Sequence, residues 1–405
     1  MIRLAWRNLQ RNKARTWLTA GGIGFAVLLV SFAMSLQSGS YEIMIDSATR
    51  YFTGHGQVST DAYIKQPRFA RTIANAESLQ AALEAIDGLT VFPRVQAFGV
   101  VSKGEKSLGG MILGVDFAAE RQQLDVYNNV IAGQIPAALD QALIGAAMAR
   151  NIGAALGDEI VVLGSGKQGS VAAAVFIVAG IVETGQVELD RSLIFAPFAS
   201  VADAFYLADE AHMLVLMLND LSRLDEIVAK VEAQLPEPLG VQTWQQLMPL
   251  IEQSIELDKA GGYLFFSLLL ILVTFAVVNT FVMVLFERTR EFGLFMALGM
   301  RPWQVIGQVQ FEALLLSLLG VLLGLGLAYP LLAYLTSVGI PLDQVGGEEV
   351  SRQMQMGSMS RIYPKATWPS MTTAPLVLIV GTQLAALIST VRVQGIRPVT
   401  ALRAE

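Results

Sequence analysis

Four long apolar stretches, at 18–36, 262–286, 305–335 and 372–391, constrain this 405-residue chain more than any other feature. The first runs 19 residues without a charged side chain; as a helix it is about 28 Å long, close to the hydrocarbon thickness of a bilayer. A helix also satisfies its backbone polar groups internally, as lipid demands. The third stretch is long enough to tilt or project beyond the bilayer, with Pro330 expected at its outer end. With 53% hydrophobic and 15% charged residues, a purely soluble enzyme is excluded, and four spans are too few for a large polytopic channel. Ala33-Met34-Ser35 loosely resembles the small-residue site of a cleavable leader, but the length of the first stretch favours an uncleaved anchor.

Charge sets the expected direction. Residues 1–16 hold Arg3, Arg7, Arg11, Lys13 and Arg15 and no acid; the connector after the second stretch and the tail after the fourth are also arginine-rich. The whole chain nevertheless carries −6, so its acidity lies elsewhere and says nothing in favour of nucleic acid. By the positive-inside rule both termini are expected in the cytoplasm. The expected order is an interfacial helix at 1–16, spans at 17–40, 261–286, 305–337 and 372–391, an outer domain at 41–260, a cytoplasmic connector at 287–304, an outer loop at 338–371 and a cytoplasmic tail at 392–405. In the first segment Ile2, Trp6 and Leu9 fall at helical spacing opposite arginines, the pattern of a helix lying in the interface.

The outer domain mixes short strands and short helices. Runs rich in Val, Ile, Leu and Phe at 90–102, 107–115, 158–164, 171–183, 192–196 and 213–219 read as strands. Helices are expected at 75–86, 116–123, 145–156, 198–207 and 221–235, the last capped by Asp220; Thr243 with Gln246 would open a further helix running into the second span. The fold class is thus a membrane protein of four transmembrane helices, with a large α+β extracytoplasmic domain, of one or two lobes, between the first and second.

Familiar catalytic chemistry is missing. Cysteine does not occur and histidine occurs only as His55 and His212, which excludes disulfides, thiolate chemistry and a His-rich metal centre. Gly164-Ser165-Gly166-Lys167-Gln168-Gly169 fits neither a phosphate loop, since Val161 and Gln168 stand where Gly and Ser or Thr are needed, nor a dinucleotide fingerprint, since a strand-like run follows. It reads as a hairpin turn. His55 reads as a turn residue. Within the spans, Thr274, Asn279 and Gln383 are expected to bond between helices, Gly320 and Gly324 to allow close packing, and Glu312 and Asn279 are candidates for intramembrane coupling.

The connector between the second and third stretches is the most informative segment. It reads Glu287-Arg288-Thr289-Arg290-Glu291-Phe292-Gly293-Leu294-Phe295-Met296-Ala297-Leu298-Gly299-Met300-Arg301-Pro302-Trp303: charge at the start, apolar residues in the middle, Gly and Pro at the end. That is a short amphipathic helix with a stop signal. A bare connector would not need one, whereas a cytoplasmic motor could grip it.

This segment closely resembles the coupling motif E-R-T-x-E-[I/F]-G-x-x-[R/K]-A-[L/I]-G of ABC transporter permeases of the MacB/LolCDE/FtsX type, with Met296 where a basic residue is usual. Further resemblance lies in Leu4-Ala5-Trp6-Arg7-Asn8-Leu9, Gly114-Val115-Asp116, Gly157-Asp158-Glu159-Ile160 and Arg397-Pro398-Val399-Thr400-Ala401-Leu402-Arg403. The resemblance implies an inner-membrane permease half with no cofactor of its own, no enzymatic activity and no nucleic-acid partner. It would work with two copies of a separate ATPase, which bind the ATP and Mg, and with a second permease subunit, same or homologous. Its implied cargo is lipoprotein or other membrane-derived or periplasmic material, with the lipoprotein-releasing branch favoured. The alternative it implies is an FtsX-like subunit signalling to a periplasmic hydrolase without transport.

Overall fold

A computed structural model describes residues 13–66, 68–167, 169–184, 187–341 and 361–391. The interfacial helix expected at 1–16 falls largely outside the described residues, as do the tail at 392–405 and most of the outer loop. Two compact units result, one from the chain up to Ile43 and from Ser254 onward, the other from Met44–Gln253.

Four helices long and apolar enough to cross a membrane are present. They are Lys13–Ala48, Pro249–Glu287, Pro302–Val338 and Trp368–Val391. At 1.5 Å per residue the first three exceed about 50 Å, well beyond the hydrocarbon core of a bilayer. Gly320 and Gly324 of the third helix pack against the first: a Cβ on Gly24 would lie 3.0 Å from the Gly320 carbonyl oxygen, and one on Gly324 would lie 2.6 Å from the Val27 Cβ. Small residues let these backbones approach, as the sequence implied. Ala20, Ile23, Val27, Val305, Ala313 and Val321 fill the core around that seam.

Three expectations fail here. Pro330 does not end the third helix, which continues to Val338; a proline forfeits one backbone bond, but Ala328 and Leu332, buried on either side, hold the flanking turns. Thr274 does not bond between helices, because its hydroxyl donates to the Leu270 carbonyl of its own helix, 2.8 Å away. Asn279 is exposed on the second helix rather than turned toward a neighbour. Gln383 bonds to another helix through its main chain, its carbonyl accepting from the Gln310 amide at 3.3 Å, while Thr274 packs against Gly381 of the fourth helix without bonding to it.

In the second unit six strands close into a ring. Leu89–Lys103 pairs with Lys106–Val115, which pairs in parallel with Leu193–Pro197. That strand pairs with Gln141–Gly145, which pairs in parallel with Val171–Val182. Glu159–Ser165 joins Val171–Val182 back to Leu89–Lys103. The loop around Gly164 to Gly169 is the expected hairpin, closed by a bond from the Gly166 N–H to the Ser170 carbonyl (2.8 Å). Leu89–Lys103 is long enough to serve twice: its first half pairs with Met213–Leu218 and so carries a flanking sheet completed by Gly56–Thr60 and Leu239–Thr243.

Strand alternation divides the core. Ile112, Ile144 and Ile194 join one cluster with Val162, Phe176 and Phe205, while Leu113, Leu143, Leu193 and Phe195, one residue along, join another with Phe92, Phe117 and Tyr127. The six expected strands occur within about a residue of their read bounds. The short strands Gly56–Thr60, Val130–Gly133, Gln141–Gly145 and Leu239–Thr243 carry too little pattern to be read. Asp220 does cap its helical turn, accepting from the Ser222 N–H at 2.9 Å. Thr243 makes no side-chain cap bond, and the helix it precedes stops at Leu247 before Pro249 opens the next, because a proline disfavours helical backbone at the residue before it.

Both histidines are buried; His55 sits at the expected bend, just before Gly56–Thr60. Its Nδ1 accepts from the Leu218 N–H (3.0 Å) and its Nε2 faces Asp46 (3.3 Å). His212 accepts from the Gln96 N–H at Nδ1 (3.2 Å) and donates from Nε2 to the Phe69 carbonyl (2.8 Å); burial lowers its pKa. The largest fully buried side chain is Arg94. It grips Glu120 in two bonds of 2.7 and 2.9 Å, donates to the Phe52 carbonyl at 2.6 Å, and lies 5.0 Å from the centre of the Phe52 ring. Tyr127 donates to the same carboxylate at 2.7 Å. Burial disfavours the Arg94 charge, but Glu120 more than restores it and holds the guanidinium above its ordinary range.

Candidate functional site

The connector forms the expected helix, Thr289–Ala297. Its end is set by backbone chemistry. Gly299 at φ +94° occupies the left-handed region, its N–H bonds to the Met296 carbonyl (3.1 Å), and the Met300 N–H reaches back to the Phe295 carbonyl (3.0 Å). This is a Schellman stop, which glycine adopts without a Cβ penalty. The third long helix restarts at Pro302, where the Gln304 side chain accepts from the Arg301 N–H at 2.9 Å.

The helix has two faces. Phe292 and Gly293 are buried, Phe292 within the core of the helical unit. Arg290, Leu294, Ala297 and Leu298 point outward, with Leu294 50% and Leu298 76% exposed, and Gly299, Arg301 and Trp303 continue that exposed side. Among the described residues these two leucines are left largely uncovered, which distinguishes them from the buried row.

Arg288 belongs to neither surface. The sequence placed it with the charges available to a partner, but it turns inward, donating to Glu291 and to Glu312 at 2.9 Å each and stacking 5.4 Å from the Phe292 ring centre. The two carboxylates neutralise a guanidinium that is 8% exposed. Glu312 therefore has a defined partner, and through it the connecting helix is tied to the third long helix. Glu287, partly exposed, pairs with Arg15 of the first helix (2.6 Å). This second strut was not visible in the sequence, where Arg15 reads only as a topology signal. Thr289, Glu291 and Met300 sit between the two faces, and Asn279 lies more than two turns earlier on the second helix, apart from the cluster. Among the described residues no group of His, Cys, Asp and Glu is arranged to hold a metal ion.

The chain resembles known proteins over most of its length. Residues 16–234 match the model of the MacB-like periplasmic core domain, and residues 263–398 match that of the FtsX-like permease C-terminal region. The macrolide export ATP-binding/permease protein MacB of Marinobacter nauticus is 27% identical over 155 residues, covering 37% of this chain and 24% of that protein. The lipoprotein-releasing system transmembrane protein LolC of Neisseria meningitidis serogroup B is 24% identical over 247 residues, covering 58% of this chain and 59% of that one. The chain thus spans less than two thirds of the length of the relatives it matches. The crystal structure of the periplasmic region of MacB from Actinobacillus actinomycetemcomitans superimposes with a TM-score of 0.38 at 14% identity, covering 51% of this chain and 94% of that one. Since the first family model alone matches more than half of the residues and the second matches most of the remaining membrane-spanning part, this chain belongs to the ABC transporter permeases of the MacB/LolC/FtsX type.

Proposed function

We propose that this permease converts the closing of a separate ATP-driven subunit into movement outside the inner membrane, and that its cargo is lipid-anchored. The observation that carries the coupling role is the two-faced connecting helix: an outward ridge of Arg290, Leu294 and Leu298 for the motor, and an inward Arg288 that hands displacement to Glu312 on a helix of about 55 Å. Two ATPase copies would hold ATP and Mg, and a second permease would complete the assembly. Both termini and the connector would face the cytoplasm, with the domain from Met44 to Gln253 outside.

A cargo extractor, unlike a pure signalling subunit, needs an apolar surface among its spans. The first, second and fourth helices supply one, a groove of about 610 Å³ with an almost wholly apolar lining. That feature, together with the LolC likeness, supports lipidated cargo over regulation of a hydrolase.

The test is reconstitution in nanodiscs with a cognate ABC ATPase subunit. Leu294→Asp with Leu298→Asp is expected to abolish permease-stimulated ATP hydrolysis while leaving the melting temperature unchanged, since both side chains are exposed. Arg288→Gln should lower the stimulation several-fold. Unchanged stimulation in all of these variants would refute the assignment.

A further inference from the structure

We propose that the groove between the first, second and fourth helices is a binding site for one acyl chain of a phospholipid from the leaflet next to the outer domain. This rests on reading those helices as membrane spans, part of the function proposed above, but not on the coupling role of the connector.

The dimensions point to this occupant. The second helix lines the groove from Tyr263 to Thr274 and the fourth from Thr373 to Leu384. Each interval is 11 residues, about 16 Å, or half of a hydrocarbon core of about 30 Å. Within the apolar stretches 262–286 and 372–391 the lining begins at the end next in sequence to the outer segments, so the groove opens on that side and runs about one leaflet deep. Its floor is core-like, with Val30, Met34, Phe266 and Leu270 all under 9% exposed. A chain lying there would touch a packed surface rather than the moving ridges of a convex bundle.

The polar chemistry agrees. The hydroxyls that could have asked for a bonding partner are already used within their own helix, Ser267 on the Leu264 carbonyl and Thr274 on the Leu270 carbonyl, both at 2.8 Å. The groove therefore favours an occupant that donates and accepts nothing, which excludes a peptide or a file of water. Polarity appears only at the mouth. Tyr263 is 59% exposed there, and one turn earlier on the same helix the Lys259 ammonium lies between Glu256, at 2.7 Å, and the Tyr41 ring, 5.9 Å from its centre. An amphipathic ring and a cation above an alkyl slot suit a phosphate-bearing headgroup.

The experiment uses the full chain in nanodiscs containing phosphatidylglycerol with a diazirine at mid-chain, with adducts mapped by mass spectrometry. Adducts are expected to concentrate on Ile271 and Val377, about tenfold over Leu322 of the third helix, a preference equivalent to about 1.4 kcal/mol. Ile271→Trp with Val377→Trp, which fills the slot from its exposed walls, should cut the yield several-fold with an unchanged melting temperature. Replacing the probe by diacylglycerol with the same chain should lower the yield, and Lys259→Gln should narrow the difference between the two lipids. Labelling spread evenly over Leu322 and the groove would overturn the site. Labelling by a diacylated peptide but not by phosphatidylglycerol would overturn the phospholipid assignment. Loss of the groove with intact sensitivity to Leu294→Asp would leave the coupling reading standing, and the converse would leave the lipid site standing.

Discussion

The helical unit and the outer domain handle most of their interior polar groups by different means. In the helical unit the hydroxyls fold back on their own helices: Thr280 donates to Ala276, Thr382 to Leu378, Ser389 to Ala385 and Thr390 to Ala386. The helices then meet largely through shape, with glycine against glycine, and polar bonds cross between them at few places, Ser35 to Ser370 (3.0 Å) and Arg288 to Glu312 (2.9 Å) among them. In the outer domain a full ion pair, Arg94 with Glu120, sits in the core and bonds to Phe52, at the end of the helical segment entering the domain, and to Tyr127. The solvent explains the contrast. Lipid rewards no apolar contact over another, so small residues must create specificity; water already drives apolar burial, so a buried pair can specify one arrangement at little net gain in stability.

The strongest way to break this contrast is to strip one partner from the ion pair. Arg94→Leu strands the Glu120 carboxylate and should destabilise the domain by about 3–5 kcal/mol, whereas Arg94→Met combined with Glu120→Leu should recover most of the loss. Thermal unfolding in detergent followed by tryptophan fluorescence checks both, and an equally unstable double variant would show the pair to be a net source of stability.

A smaller effect is expected at the glycine seam. Gly324→Leu drives a side chain into Val27 and should cost about 1–3 kcal/mol by overpacking. Gly326→Leu, two residues on, where an added Cβ meets nothing within 4 Å, should be tolerated. Equal damage from both would mean that helix packing is not what the small residues serve.

The smallest effect concerns His212. Its folded pKa lies below the ordinary value of about 6.5. Between that value and the depressed one the unfolded chain binds the proton more readily, so stability is complete above about pH 6.5 and declines as the pH falls through that window. The melting temperature of the parent should therefore drop more steeply than that of His212→Gln between pH 7.5 and 5.5. Parallel curves would assign the acid sensitivity to carboxylates instead.

Much of this was legible in the sequence where the signal was local. The spans announce themselves by missing charge, the long strands by alternation, and the connecting helix by Gly299 and Pro302. Ring closure was not, because it depends on pairing Leu193–Pro197 with Gln141–Gly145 and Glu159–Ser165 with Leu89–Lys103, segments distant in the chain and silent about each other. The inward turn of Arg288 was hidden for a related reason. Charge beside a membrane reads as solvated, and only the fold shows that Glu312, 24 residues on, has taken it inward.

The closed ring has a consequence for life among neighbours. An open sheet ends in rows of unsatisfied main-chain donors and acceptors on which another strand can zip. Among the described residues the ten-stranded sheet ends in the brief segments Val130–Gly133 and Leu239–Thr243. Copies crowded on one membrane surface thus offer each other almost no template for sticking, and encounters are left to side chains, which selection can adjust one at a time.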